Sequence, residues 1–385
     1  MQLQRIRLRP YQEEAVDKAV DYMKKTVSGR NGLLVLPTGS GKSLVIANIA
    51  YRLNAPVLVL QPNVEILEQN YEKMQMYGVT DIAKYSASAG EKNIGRITFA
   101  MIGSIKTESV RFFRFRYVII DECHLVNPSE GMYADFIRKS MCKVIGLTAT
   151  PYRLESSRIY GSMLAFLTRT QPRLFTDLVY AVQVKEIADK GYLAKLEYYN
   201  IPLVDEKKLK KKGLDYTDDS VRKHYEKVEY DKKLLDIVNR LIAVDRKSIL
   251  VFTRNTDEAK RLVATLGGDA MIITGNTPKE RRKAILDDFK GGLIKVVVNV
   301  GVLTTGFDYP ALKTVVLARP TRSLSLYYQM VGRAIRPFND EVGWVVDLCG
   351  NVERFGKVVD LRLEEPIPKQ YEFRSGGKVL TNVYF

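Results

Sequence analysis

The chain has 385 residues, 46% hydrophobic and 27% charged, more than one hydrophobic core usually serves, so two domains are predicted. Its 60 lysines and arginines outnumber 44 acidic residues, a formal charge of +16 that favours a polyanionic partner without by itself fixing a function. Apolar runs such as residues 33–36 and 57–60 fall far short of the ~20 residues of a membrane span, and the start MQLQRIRLRPYQ has no apolar signal core, so a cytoplasmic protein without a membrane partner is expected. Cys123, Cys142 and Cys349 are odd in number and lack C-x-x-C spacing, and the histidines are His124 and His224 alone, so neither a disulfide framework nor zinc is expected; buried, reduced thiols are.

In chain order, an amphipathic helix is predicted to begin at LRPYQEEAV, with Ala15, Val16, Ala19, Val20 and Met23 on its buried face. A strand at residues 33–36 then runs through a glycine loop into the apolar helix LVIANIAYRL, stopped near Asn54 and Pro56. Further strands are predicted at residues 57–60, 97–100, 117–120 and 144–147; short β-branched runs between helical patterns read as a parallel sheet with crossover helices. The rhythm repeats with a helix over residues 231–244 and strands at 248–252, 271–273, 295–299, 314–317 and 344–347. One helix between them has Thr277 as cap, Pro278 at its first position, Glu280 completing a capping box and Gly291-Gly292 as its stop. Residues 205–233, with KKLKKKG and few periodic apolar positions, read as an exposed charged insertion, and VLTNVYF at the end as an edge strand. The domain plan is therefore residues 1–175, a connection at 176–230, residues 231–350 and a tail at 351–385.

Chemistry concentrates in LPTGSGKS. Between a buried strand and a helix, Thr38, Gly39, Ser40 and Gly41 form a turn whose N–H groups point inward at phosphate oxygens, helped by the helix dipole. Lys42 would reach the β- and γ-phosphates of ATP and Ser43 would ligate Mg²⁺. Leu36 stands where the strict Walker pattern has its first glycine. In RYVIIDECH an apolar strand ends in two adjacent carboxylates: Asp121 would hold the magnesium and Glu122 would orient and deprotonate the attacking water. Cys123 reads as a packing residue, and His124 either couples this site onward or satisfies a local hydrogen bond.

DECH together with LTATP and QMVGRAIR resembles the motif set of superfamily 2 helicases, and LRPYQEEAV, KGYL, ITGNTP, VNVGVLTTGFDYP and SLYYQMVGRAIR resemble its RadD-like group of bacterial and phage DNA helicases. The resemblance runs over residues 8–351. It implies an α/β fold of two tandem RecA-like domains, each a mostly parallel sheet flanked by helices, with the ATP site in the cleft between them. It also implies an ATP-dependent DNA helicase or translocase of replication, recombination or repair, with single-stranded or branched DNA, and replication or recombination proteins, as partners; an ATP-gated nucleic-acid-binding scaffold without motor activity, or an RNA helicase, is the alternative. Residue by residue, Arg9 and Gln12 resemble the adenine-recognition element, and Arg333 and Arg336 the arginine fingers that stabilise charge on the γ-phosphoryl. Gln329 resembles the residue that positions water or phosphate; Gly306 and Asp308 resemble nucleotide contacts. Thr304 and Thr305 resemble links to the nucleic-acid backbone, and TAT (residues 148–150) the coupling segment between hydrolysis and lobe closure. Backbone contacts map to Pro62, Asn63, Ser104, Arg153, Thr253 and Arg254, where a turn or capping role is equally open for each. The cysteine-rich region that bacterial RadD-like proteins carry after the second lobe is not matched here.

Overall fold

The computed structural model describes residues 7–157, 161–212, 215–304 and 309–382. Two compact units divide the chain: Met1–Arg153, Leu164–Gln183 and Leu363–Glu372 form one; Leu154–Met163, Val184–Arg362 and Phe373–Phe385 form the other. Residues 176–183 of the expected connection thus group with the first unit and those from Val184 with the second, and ten residues of the tail return to the first.

In the first unit the strands are β1 (Gly32–Val35), β2 (Val57–Gln61), β3 (Ile82–Ser86), β4 (Glu91–Lys92), β5 (Ile97–Met101), β6 (Tyr117–Ile120) and β7 (Lys143–Thr148). After the paired strands β8 (Tyr152–Ser157) and β9 (Gly161–Phe166) comes β10 (Asp177–Ala181). The sheet runs β10-β1-β7-β6-β2-β5-β3-β4, parallel except for the β3–β4 hairpin. Strands β1, β2 and β6 are buried along their whole length, which is why they read as unbroken apolar runs. The strands that carry less pattern, β3 (IAKYS) and β10 (DLVYA), expose alternate or successive residues and were not predicted. The helices are α1 (Pro10–Lys25), α2 (Lys42–Arg52), α3 (Val64–Met76), the short α4 (Ile102–Ile105) and α5 (Ser109–Phe112), and α6 (Met132–Ser140). Helix α1 buries Ala15, Val16, Ala19 and Met23 as its pattern predicts, and also buries Gln12.

Because β7 separates β1 from β6, the loops that follow β1 and β6 leave the same carboxyl edge one strand apart, with Thr148 ending the strand between them. Carboxyl edges of parallel sheets are where such folds place ligands. At Gly146 in β7 an added Cβ would lie 2.6 Å from the Phe175 ring and 2.7 Å from the Cys123 sulfur, so Cys123 fills a space that only glycine opens, in keeping with its packing role.

The second unit holds α7 (Val184–Asp189), β11 (Leu196–Asn200), the pair β12 (Lys211–Lys212) and β13 (Asp215–Tyr216), α8 (Asp218–Lys227) and α9 (Tyr230–Ala243). There follow β14 (Ile249–Thr253), α10 (Thr256–Leu266), β15 (Ala270–Ile273), α11 (Lys279–Lys290), β16 (Val296–Asn299) and β17 (Thr314–Ala318). Helix α12 (Leu324–Val331), β18 (Gly343–Asp347) and α13 (Asn351–Phe355) complete it. Its six-stranded sheet, β11-β18-β17-β14-β16-β15, is parallel throughout. Strand β11, LEYYN at the sheet edge, is largely exposed and carries no apolar run.

Three expectations are corrected here. The stretch 205–233 is not a solvated insertion: Leu209, Tyr216, Val221, Tyr225 and Tyr230 are all buried in the core of the second unit, while its lysines face outward. Helix α11 starts at Lys279 without the expected capping box, because the Thr277 hydroxyl accepts from the Thr274 N–H at 2.9 Å instead. At the tail, strands β19 (Arg362–Ile367), β20 (Gln370–Ser375) and β21 (Lys378–Val379) form a small sheet, so the final strand falls at Lys378–Val379, ahead of most of VLTNVYF. Within the first unit the Gln183 side chain donates to the Leu363 carbonyl at 2.7 Å and accepts from its N–H at 3.0 Å, imitating a strand partner. No helix among the described residues is long and apolar enough to cross a membrane.

Candidate active site

The loop after β1 is built to expose backbone donors. Leu36 N–H still bonds the Thr148 carbonyl at 3.0 Å; the chain then turns through Gly39 (φ 82°) and Gly41 (φ 80°), left-handed positions that cost a side-chain-bearing residue. Leu44 N–H makes the first bond into the helix, to the Gly41 carbonyl at 3.0 Å, so the N–H groups of Lys42 and Ser43 lie ahead of the ladder, as helix starts require. The LRPYQ segment grips this loop from behind. Tyr11 Oη donates to the Ser40 carbonyl at 2.8 Å and Gln12 Nε2 to the same oxygen at 2.7 Å, while Gln12 Oε1 accepts from Arg9 N–H at 2.9 Å. A Cβ on Gly41 would sit 2.5 Å from Gln12 Nε2, so glycine there serves both conformation and this close approach. The structure therefore gives Gln12 a part in shaping the phosphate loop; one Nε2 hydrogen and one Oε1 lone pair are left over for another partner.

At the end of β6, Glu122 adopts the left-handed region (φ 46°), which turns its side chain back toward α2. Lys42 Nζ lies 3.3 Å from Glu122 Oε1, and His124 Nδ1 lies 3.3 Å from Glu122 Oε2 and 2.9 Å from Thr148 Oγ1. Thr148 Oγ1 in turn accepts from Thr150 N–H at 2.9 Å. His124 thus bridges Glu122 and Thr148 within the first unit, which is the local hydrogen bond that its sequence reading allowed. Asp121 is buried, its Oδ1 accepting from Glu122 N–H at 2.9 Å and its Oδ2 from Asn70 at 3.2 Å. Burial and the neighbouring Glu122 charge push the Asp121 carboxyl up, whereas Lys42 and His124 hold Glu122 down against its own burial. Burial pushes the Cys123 thiol well up, in keeping with its packing role. Asn70, on α3, was not found in the sequence; nothing distinguishes it from a surface asparagine on a helix.

Hard oxygen donors suit magnesium, and Ser43 in the first turn of α2 and Asp121 after β6 are the residues that could supply them. The buried Ser40 hydroxyl, without a hydrogen-bond partner, adds a polar group in the same loop. The donor set fits Mg²⁺ with a nucleotide triphosphate. Thr38 is buried in the same loop.

The other first-unit candidates are engaged in structure. Asn63 caps α3, its side chain accepting from Ile66 N–H at 2.9 Å, with Pro62 ahead of it. Ser104 Oγ accepts from Ala87 N–H at 3.0 Å, and Arg153 donates to the Val126 carbonyl at 2.8 Å.

In the second unit, helix α12 carries Gln329 but ends at Val331, ahead of both arginines. Arg333 N–H bonds the Met330 carbonyl at 3.3 Å and Ala334 N–H that of Val331 at 3.0 Å, so Arg333 sits in a tight turn after Gly332 rather than on a continuing helix. The Arg333 side chain is buried and its Nε donates back to the Gln329 carbonyl at 3.4 Å; burial pushes the Arg336 guanidinium down to about 10. Thr253 is 1% exposed, with a hydroxyl that has no partner, and presents no side chain to a strand. Arg254 is given to the protein itself, its Nε donating to Asp218 at 2.6 Å and another nitrogen to the Tyr216 carbonyl. Thr304 lies in a turn; Thr305, Gly306 and Asp308 lie outside the described residues.

Two family profiles match: "Type III restriction enzyme, res subunit" over residues 5–153 and "Helicase conserved C-terminal domain" over residues 232–337. The first spans the phosphate loop and the acidic pair, the second Gln329 to Arg336. The chain belongs to the superfamily 2 helicases. A "51.5 kDa protein" of a Lactococcus phage is 25% identical over 331 residues, covering 83% of this chain and 66% of that protein. The "DNA 3'-5' translocase XPB2" of Sulfurisphaera tokodaii is 27% identical over 381 residues, covering 88% of this chain and 80% of that one. Among solved structures, the "ATP-dependent Type ISP restriction-modification enzyme LlaBIII bound to DNA" superposes with a TM-score of 0.64 at 16% identity, over 89% of this chain but 28% of that enzyme, a likeness of fold. The two parallel α/β units are the RecA-like pair of this superfamily.

Proposed function

We propose that this helicase core is an ATP-driven motor that moves along or remodels DNA, binding ATP with Mg²⁺. The observation that carries it is the Lys42–Glu122–His124–Thr148 chain, which joins the phosphate lysine to the coupling threonines through one carboxylate. On binding, Lys42 would exchange Glu122 for β- and γ-phosphate oxygens, freeing that carboxylate to orient the attacking water and take its proton. Ser43 and Asp121 would hold the magnesium, which neutralises charge between the β- and γ-phosphates. Arg9 and Gln12 would read the adenine, with Gly306 and Asp308 as further nucleotide contacts. Gln329, Arg333 and Arg336 would act on the γ-phosphoryl, and alternation between nucleotide states would move the protein along its track.

Support for DNA comes from the basic charge and from the archaeal relative, whose name describes a DNA translocase. Pro62, Asn63, Ser104, Arg153, Thr304 and Thr305 are the proposed backbone contacts; work in replication, recombination or repair, the RadD-like subgroup and a cytoplasmic setting are part of the same proposal. Ejection of streptavidin from the end of a biotinylated oligonucleotide tests movement directly. ATP-dependent ejection is expected; ATP turnover without ejection from either end would reject translocation. Arg336→Ala is expected to lower turnover about 10³-fold, as loss of a finger does, with ATP affinity changed only a few-fold. Equal losses in binding and turnover would reject the finger role.

A further inference from the structure

The second unit gathers four arginines at one edge of its sheet. Thr253 of β14 is the register partner of Ala318 of β17, so Arg254 and Arg319 leave adjacent strands side by side at the carboxyl edge. Arg322 follows in the loop before α12, and Arg354 lies on α13, whose Asn351 ties that loop down by donating to the Arg319 carbonyl at 3.1 Å and accepting from Thr321 N–H at 3.1 Å. The Nε of Arg319 is buried without an acceptor. Burial pushes both the Arg319 and Arg322 guanidinium groups down, the sign of charge held away from water.

Three carboxylates of one segment cover this cluster. Asp218 accepts from Arg254 Nε at 2.6 Å, Asp215 Oδ1 accepts from Arg322 N–H at 3.2 Å with Oδ2 3.6 Å from Arg254 Nη1, and Glu206 pairs with Arg354. Tyr216 Oη donates to Glu206 at 2.9 Å and its carbonyl accepts from Arg254. The same segment turns Lys207, Lys208, Lys210, Lys211 and Lys212 to solvent. Carboxylates on guanidinium forks imitate phosphate geometry. The Asp218 side chain is 82% exposed, and pairs of that kind are held weakly.

We infer that Arg254, Arg319, Arg322 and Arg354 form a binding cluster for the phosphodiester backbone, occupied in the protein without its track by Glu206, Asp215 and Asp218, which a bound strand displaces. This rests on the nucleic-acid reading above and adds to it a site and a cap. The three carboxylates hold the Arg254 and Arg354 guanidinium groups, with Arg319 and Arg322 beside them on the same edge, so displacement exposes a concentrated positive edge, while the outward lysines draw the strand to it. The displacement exchanges ion pairs and makes or breaks no covalent bond.

Hydrogen exchange on the full chain, alone and with oligo(dT), inorganic phosphate or ATP in separate arms, tests it. Faster exchange over residues 209–220 with oligo(dT) alone is expected. Unchanged protection there overturns the cap, and loss of protection with phosphate or ATP alone overturns the phosphodiester assignment. In parallel, D215N/D218N should bind oligo(dT) about tenfold more tightly, with a salt dependence steeper by about 0.7, from the one Arg254 guanidinium that both carboxylates hold. A folded double variant with wild-type affinity and slope contradicts the proposal. If oligo(dT) binds and stimulates wild-type turnover while the cap stays protected, the cap alone falls; if the wild-type chain binds no DNA, the motor reading falls with it.

Discussion

Lys42→Ala is expected to abolish ATP hydrolysis, with turnover falling at least about 10³-fold in the presence of saturating polymer. Charge-assisted bonds from a lysine to the transferring phosphates contribute several kcal/mol in a site screened from water, and each ~1.4 kcal/mol is tenfold in rate. The structure adds a second consequence. Lys42 is the cation that holds Glu122 ionised at 3.3 Å, so its loss leaves that carboxylate with His124 as its remaining neighbour among the pairs seen here. Both nucleotide affinity and turnover should therefore fall together. Fluorescent-nucleotide binding alongside a phosphate-release assay reads the two; retained turnover would refute the assignment of the phosphate loop.

Glu122→Gln separates binding from chemistry. The amide is close in shape to the carboxylate and its oxygen can still face Lys42, but it cannot accept the proton of an attacking water. General-base loss costs about 10²–10⁴-fold. Turnover is expected to drop by that much while ATP affinity stays within a few-fold, so the variant should accumulate in the ATP-bound state. A variant that hydrolyses ATP at near wild-type rate would move the base elsewhere, and a matching loss of affinity would mean that Glu122 mainly holds Lys42 in place.

What the sequence disclosed follows from how strongly each feature is patterned. Strands β1, β2, β6 and β14 are buried along their whole length and read as apolar runs, and LPTGSGKS and DECH fall where those of β1 and β6 end, so the sequence alone places the glycine loop and the acidic pair at strand ends. The edge strand β11 and the short pair β12 and β13 were not legible, because β11 and β12 expose most of their length to water and β13 is only two residues long. Helix α8 misled for the same reason: DDSVRKHYEK buries only Val221, His224 and Tyr225, a stripe too narrow to stand out among its charges. Gln12 shows a different limit. Its residue type suits adenine, but its burial against Ser40 depends on α1 packing beside α2, a tertiary fact without a local signature. Arg254 likewise looked like a phosphate contact, and only the fold reveals the acidic segment that already holds it.

The measurement that bears most directly on the central claim is ATP turnover at one fixed salt concentration with no polymer, single-stranded DNA, duplex DNA, a fork and single-stranded RNA. Strong stimulation by DNA and little by RNA is the predicted result, and the best DNA would identify the track. Turnover indifferent to every polymer would contradict the motor reading and leave an ATPase whose cycle is not coupled to nucleic acid.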